Sequence, residues 1–406
     1  MTNLTVVGQG YVGLPLAIAA ARSGYKVKGF DIDVTKIENL KNGIFQSTDA
    51  DPNEVKTLQT NSQLHFTSEK RDLVNTEIFV IAVPTPLDNS HKPDFKHLEL
   101  ACEIIGSVVK SGTLIINEST SSIGTLRNFI KPKIDSFSLQ KSLEYAVAPE
   151  RIDPGNKFWS IENTPRVIAG LTDEAAVSVK KFYENLCQMV TLVSQPEVAE
   201  ASKLFENTFR QVNISMVNVL SELSWKYGFS TFETINAAAT KPFGFMPFYP
   251  GIGIGGHCIP VDPSYLLHSA KQVGLDYKFI ELANENNFNR AEIIVNRIGD
   301  FMKSELKNVK IQIAGISYKP NISDIRESPV LPLITELRKR GAIVTWSDPL
   351  VKVHNSESSS ELDVNIDLGL IVTPHDIFNF NIWRNSDVKV LDLSSVNQNF
   401  GWPKFI

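Results

Sequence analysis

Residues 4–31 read LTVVGQGYVGLPLAIAAARSGYKVKGFD, and this stretch decides the fold. Leu4 to Val7 is a short apolar run of β type. GQGYVG, Gly8 to Gly13, follows at once, and then an apolar pattern of helical period. A second strand, Lys26 to Phe30, ends at Asp31. Strand, glycine turn, helix, and an acid about 20 residues on make the dinucleotide fingerprint of a βαβ unit. Gly8 permits the tight turn, Gly10 lets a pyrophosphate approach the backbone, and Gly13 lets helix and strand pack closely. Tyr11 and Val12 complete the turn, where free N–H groups and a positive helix end suit phosphate. Asp31 would accept from the ribose hydroxyls and repel a 2′-phosphate, which selects NAD over NADP. Lys36, just beyond it, is assigned to the same cofactor site.

Further strands continue the doubly wound plan. Ile78 to Val83 ends in Pro84, Thr85 and Pro86; Thr113 to Asn117 ends in ESTSSIGT, with Ser119 and Thr120. Ligands of such sheets bind beyond the carboxyl ends of the strands, so these residues belong to one crevice with Gly10. Glu144 to Val147 leads into APERIDPGN, a proline-fixed loop that carries Glu150 and Arg151. A charged pair in a rigid loop after a strand suits a functional site.

From Pro196 to about Gly228 the pattern is one long helix, with proline in its first turn and glycine at its stop. Glu200, Lys203, Asn207 and Arg210 form a single polar stripe on it. Leu204, Phe205, Phe209, Ile214, Val217, Leu220 and Leu223 cover the other faces. A helix apolar over most of its circumference is buried or shared with a second subunit, so the stripe is expected to face a polar site. More helix is expected over Thr231–Thr240 and between Pro263 and Phe301.

Between these helices lies PGIGIGGHCIPVDP, residues 250–263. Its glycines allow close backbone approach, and it presents His257, Cys258 and Asp262. From Val309 a second α/β unit begins with a strand and a polar turn bearing Lys319. A helix over Leu331–Arg340 and strands at Ile343–Trp346, Leu368–Val372 and Val388–Leu391 follow. Its first turn lacks phosphate-binding glycines, so it should bind something other than a second dinucleotide. HNSESSSELD, residues 354–363, is expected as a surface loop.

At 406 residues the chain should form two or three domains. Apolar content of 42% and a net charge of −5 suit a soluble globular protein and argue against a general nucleic-acid binder. Three cysteines, far apart, offer neither a disulfide framework nor metal-ligand spacing. With no signal peptide or membrane span in the reading, the expectation is a cytoplasmic protein with no metal.

An NAD-type site combined with a candidate thiol nucleophile is a narrow category. A thiol traps an aldehyde as a thiohemiacetal, which a second oxidation turns into a thioester. GQGYVGLPLA, AVPTP, EST, APERIDPG, EASKLFENTFR, GIGGHCIPVDP and YKPNISDIRESP occur in one order. Together they resemble the UDP-glucose/GDP-mannose dehydrogenase family across the whole chain. The resemblance implies an α/β protein with two Rossmann-like doubly wound domains, joined by a central helical domain with one long helix. The boundaries drawn are an NAD domain at 1–195, a helical dimerisation domain with the cysteine loop at 196–300, and a UDP-sugar domain at 301–406. It implies a homodimer and the cofactor NAD.

Family roles carry over by position. Cys258 would be the nucleophile, and Lys203 and Asn207 would stabilise the alkoxide and oxyanion. Asp262 would hold the hydrolytic water or the lysine, Glu150 would act in thioester hydrolysis, and Thr120 would help place a water. Lys319 would meet the substrate diphosphate or sugar, Arg326 would reach toward NAD, and the loop with Tyr249, Gly251 and Gly255 would wrap the substrate. APERIDPG and GGHCIPVDP look like the branch acting on UDP-N-acetylhexosamines, with UDP-GlcNAc and UDP-GalNAc ranked above UDP-ManNAc. Arg151, the Ile152–Gly155 turn and Arg210 are the expected partners of the acetamido group. The reaction implied is a four-electron oxidation at C6, in surface-polysaccharide precursor synthesis. UDP-glucose oxidation is the alternative; a two-electron 3-hydroxyacid enzyme or a non-catalytic sensor would need no cysteine loop.

Overall fold

The computed structural model describes residues 1–45, 50–88, 90, 92–140, 142–153, 156, 158–256 and 259–406. The chain divides into two compact units. The first is Met1–Glu206 with Ser264–Gly274; the second is Asn207–Pro263 with Leu275–Ile406.

In the first unit the order is β1 (Asn3–Val7), α1 (Gly13–Arg22), β2 (Lys26–Phe30), α2 (Val34–Lys41), α3 (Pro52–Thr60), β3 (Leu64–Thr67) and β4 (Ile78–Ile81). Then come α4 (Lys96–Val108), β5 (Leu114–Asn117), α5 (Lys131–Phe137), β6 (Glu144–Val147), β7 (Arg166–Gly170), α6 (Asp173–Glu184) and β8 (Val190–Leu192). The sheet runs β3-β2-β1-β4-β5-β6-β7-β8. It is parallel through β6, and β7 then pairs antiparallel to β6. The order reverses between β1 and β4, so the crevice opens beyond Val7 and Ile81.

The central strands are apolar almost throughout because both faces are covered, and their side chains point alternately to the two faces. Val80 and Ile116 pack with Leu14, Leu16 and Ile18 of α1 on one face. Phe79, Ile81 and Ile115 pack with Leu98, Ile104 and Ile105 of α4 on the other. Each such side chain contributes roughly 1.5–3 kcal/mol on burial.

The long helix α7 (Pro196–Tyr227) has 32 residues and stops before Gly228, whose φ of +75° favours glycine. It is followed by α8 (Thr231–Ala239), α9 (Asp262–Gln272), α10 (Lys278–Phe288) and α11 (Arg290–Met302). The second sheet comprises β9 (Lys310–Ala314), β10 (Ile343–Ser347), β13 (Leu368–Ile371) and β14 (Lys389–Asp392), all parallel, in the order β10-β9-β13-β14. Helices α12 (Val330–Lys339) and α13 (Asn381–Arg384) complete this α/β unit. Within the stretch expected as a surface loop, Val353–His354 (β11) and Glu357–Ser358 (β12) form an exposed antiparallel ribbon. Its turn residues Asn355 and Ser356 both have positive φ, 47° and 66°, as a tight hairpin requires. No described helix is long and apolar enough to cross a membrane.

Candidate active site

The first unit supplies a dinucleotide crevice. Gly8 has φ +96°, and a Cβ there would lie 2.4 Å from the Ala82 carbonyl oxygen. A Cβ on Gly13 would lie 1.9 Å from the Gly8 oxygen. Around Gly10 such an atom would meet none of the described residues within 4 Å. The turn is thus shut on the sheet side and open where a pyrophosphate would lie. Asp31 is nearly buried; one oxygen accepts from Gln9 N and Lys36 Nζ, both at 2.9 Å, and the other from Asp33 N at 3.1 Å. A carboxylate offers about four lone-pair sites, so one remains for a ribose hydroxyl. Lys36 thereby acts on this corner through Asp31. The Gln9 side chain folds back on Val6 O at 2.9 Å, and Gly29 of β2 leaves the space that its amide fills. Tyr11 and Val12 lead into α1. The residues present fit an NAD.

The neighbouring loops are tied down. The Ser119 hydroxyl donates to Val83 O and accepts from Val83 N, both at 2.9 Å. Its contribution is to fix the turn carrying Pro84 and Thr85. The Thr85 carbonyl accepts from Tyr265 Oη of α9 at 3.0 Å. Ser269, also on α9, accepts from Ile123 N at 3.0 Å in the loop that carries Thr120.

Glu150 is buried, and Ile152 N donates to its carboxylate. Arg151 forks onto Glu206 of α7 and reaches Pro165 O at 2.9 Å, so it secures the loop to the helix. Pro154 and Gly155 of the turn lie outside the described residues. Beneath the loop the Glu118 carboxyl is fully buried, 3.5 Å from the Arg166 guanidinium and bonded to Tyr183 Oη. Burial pushes Glu118 up, and Arg166 opposes the shift.

The α7 stripe is only partly enclosed. Glu200, Lys203 and Asn207 are buried, whereas Arg210 is exposed. Both Glu200 oxygens accept backbone N–H groups, from Gly124 at 2.5 Å and Leu126 at 2.9 Å. Burial raises its pKa to about 7.

In the second unit Asn207 donates to the carboxylate of Asp262, the first residue of α9. The glycine loop is rooted at Gly251, whose N–H donates to Asn218 at 3.0 Å and whose carbonyl accepts from Arg290 Nε at 2.9 Å. Arg290 also forks to Glu222 and Ser221, and burial lowers its pKa to about 10. Asn284, Asn286, Asn287 and Arg290 make the hydrogen bonds that join the α10–α11 region to α7. A Cβ on Gly255 would lie 2.6 Å from Tyr318 Cβ, and one on Gly253 2.9 Å from Pro329 Cβ. What these glycines approach closely is therefore protein. Gly256 N bonds Arg326 O at 3.3 Å, while the Arg326 guanidinium pairs with Asp324. Tyr249 stacks on Phe232, and its hydroxyl bonds Asn236. His257 and Cys258 lie outside the described residues.

The turn that carries Lys319 follows β9. Ile316 N and Ser317 N donate to Asp348 at 2.8 and 3.3 Å, and Thr373 Oγ1 donates to Ser317 O at 2.7 Å. Asn321 N donates to His375 Nδ1 at 2.8 Å. A backbone N–H only donates, so the ring proton sits on Nε2, which faces Asp348 at 3.1 Å. The sequence marks Asp348 only as the end of the Ile343–Trp346 strand and does not mark His375; their position at the carboxyl ends of β10 and β13 is the signal that finds them.

A dinucleotide turn, a second α/β unit without one, and a buried lysine on a long helix define a nucleotide-dependent oxidoreductase. Family models of the UDP-glucose/GDP-mannose dehydrogenase family match three segments: its NAD binding domain at residues 2–187, central domain at 197–289 and UDP binding domain at 312–393. The chain belongs to this family and is an NAD-dependent nucleotide-sugar 6-dehydrogenase. It is 34% identical to protein CapL of Staphylococcus aureus over 387 residues, 92% of this chain and 90% of the other. It is also 34% identical to the UDP-N-acetyl-D-glucosamine 6-dehydrogenase of Pseudomonas aeruginosa over 361 residues, covering 87% and 84%. The solved UDP-D-ManNAc dehydrogenase of Pyrococcus horikoshii superposes with a TM-score of 0.89 at 30% identity, covering 99% of this chain and 98% of that one.

Proposed function

We propose that the chain oxidises the C6 hydroxymethyl of a UDP-N-acetylhexosamine to a carboxylate, using two NAD per sugar, as a cytoplasmic homodimer. The observation that carries this reading is the buried part of the α7 stripe. Lys203 and Asn207 stand one turn apart, and Asn207 bonds Asp262, four residues beyond Cys258. A two-electron dehydrogenase has no use for a cysteine four residues before that aspartate in the chain.

Bound NAD supplies the hydride acceptor for both oxidations. Lys203 neutralises the alkoxide that forms as the C6 hydroxyl loses its proton, with Asn207 as second donor. Its positive charge also favours the Cys258 thiolate. The thiolate adds to the aldehyde carbon, and the resulting C–S bond survives the second oxidation as a thioester. Water held by Asp262 and Thr120, with Glu150, adds to the carbonyl; the C–S bond breaks, and carboxylate and thiol result. Lys319 takes the diphosphate.

The acetamido group is assigned to Arg210, exposed on α7. Relatives of similar identity are named for both gluco and manno epimers, which supports the class of substrate and favours neither epimer. Reduced cofactor counted per UDP-sugar tests the reaction: two are expected, and one would remove the thiol mechanism. Cys258→Ser should form no acid. A panel of UDP-GlcNAc, UDP-GalNAc, UDP-ManNAc and UDP-glucose tests the substrate; the highest kcat/KM on UDP-glucose would overturn it.

A further inference from the structure

We infer that Glu200 is a positioning residue of the oxidation, a carboxylate clasp that locks the Thr120 loop to the turn of α7 bearing Lys203. The inference rests on the proposed roles of Lys203 and Thr120.

Three N–H groups at the start of the helical segment after β5 are held by side chains from outside the sheet. Ile123 N donates to Ser269 of α9 at 3.0 Å, and Gly124 N and Leu126 N donate to the two oxygens of Glu200 at 2.5 and 2.9 Å. Glu200 is 2% exposed, so water does not substitute for either bond. These N–H groups are spent within the protein and do not form a phosphate site. Lys203 lies three residues further along α7, so the same turn carries the clasp and the charge that would meet the substrate. Thr120 lies four residues before Gly124.

The clasp needs the ionised form. A carboxylate accepts at both oxygens; a neutral carboxyl presents an O–H at one of them, facing an N–H that has nothing to donate to. Burial lifts the Glu200 pKa to about 7. The charged groups acting on it are Glu197 on α7, which raises the value, and Arg127 on the segment after β5, which lowers it; α9 contributes the neutral Ser269. The two N–H donors hold it down without cancelling the burial.

The test is kcat against pH for the full chain and for Glu200→Gln, with Tm beside each point. Wild-type kcat should fall below about pH 7. At pH 8, Glu200→Gln should lose about 10-fold or more in kcat, as small misplacements of reacting groups do, with both KM values within about 3-fold. Its acid limb near neutrality should be gone and its Tm unchanged or higher, because a buried charge has been removed. Unchanged kcat, or a loss that follows a fall in Tm, would overturn the inference. If the variant does not fold, amide exchange in the wild type decides: corrected for intrinsic rates, Gly124 and Leu126 must lose protection between pH 8 and 6, and equal protection refutes the clasp. Lys203→Ala separates the two readings. Full activity in that variant sinks the site assignment itself; an inactive Lys203→Ala beside a fully active Glu200→Gln sinks only the clasp.

Discussion

The backbone N–H of Gln9 donates to the Asp31 carboxylate at 2.9 Å, so the acid at the end of β2 also closes the glycine turn after β1. Asp31→Ala should therefore damage NAD binding twice, by losing a ribose partner and by loosening the turn. Two hydrogen bonds to a charged group are worth about 3 kcal/mol or more. The expected result is a fall of about 100-fold or more in kcat/KM for NAD, with a much smaller change for NADP. Initial rates with both cofactors check it. An unchanged NAD to NADP preference would show that Asp31 does not face the ribose.

Stability should respond to pH through Glu200 with a definite sign. Its folded pKa is raised, to about 7 from 4.5, so the contribution is present in full below the unfolded value and is lost as pH rises through about 7. The full span corresponds to roughly 3 kcal/mol. Urea midpoints of wild type and Glu200→Gln should converge near pH 5 and separate by pH 8, with the variant the more stable. Parallel curves would mean that Glu200 titrates normally.

His375→Gln should raise KM for the UDP-sugar about 5-fold while leaving kcat nearly unchanged, since one buried hydrogen bond is worth about 1 kcal/mol and the turn it holds carries Lys319. Steady-state kinetics give both constants. A change in kcat alone would place the effect elsewhere than in the Lys319 turn.

Along α7, Phe205, Met216, Val219, Leu223 and Tyr227 are at least half exposed, at 68, 58, 51, 50 and 77%. An apolar stripe of this length suits a partner subunit. Met216→Glu with Leu223→Glu should convert a dimer to a monomer in light scattering at micromolar protein. A wild type that is already monomeric and fully active would contradict the dimer.

The sequence was most legible where local chemistry decides structure. The glycine turn and Asp31 required their strand–helix–strand setting, and Pro196 and Gly228 bracket α7 as start and stop signals do. α2, α3, β3, α4, α5, β7, α6, β8 and α13 are not legible in the sequence. LHFT is four residues with a polar His65 inside it, too short for periodicity to speak. The hairpin at 353–358 hid in a serine-rich run because its strands are two residues each. The polar stripe on α7 was visible, but not what it touches: Glu200 meets amides 74 and 76 residues away, and Arg290 meets Gly251 across 39. Arg210 shows the limit of spacing, since its place in the stripe did not bury it. For Ser119 and Arg151, residue type suggested ligand contact, and their hydrogen bonds go to protein partners.

The glycines at 253, 255 and 256 leave the room that Tyr318 and Pro329 occupy. The loop before the cysteine is therefore moulded on the C-terminal α/β unit, and the two segments are one heritable part. A chimera between relatives that exchanges residues 309–406 without residues 250–256 joins surfaces that were never fitted to each other. Crossovers that keep 250–329 from a single parent should yield active enzymes far more often than crossovers inside that interval.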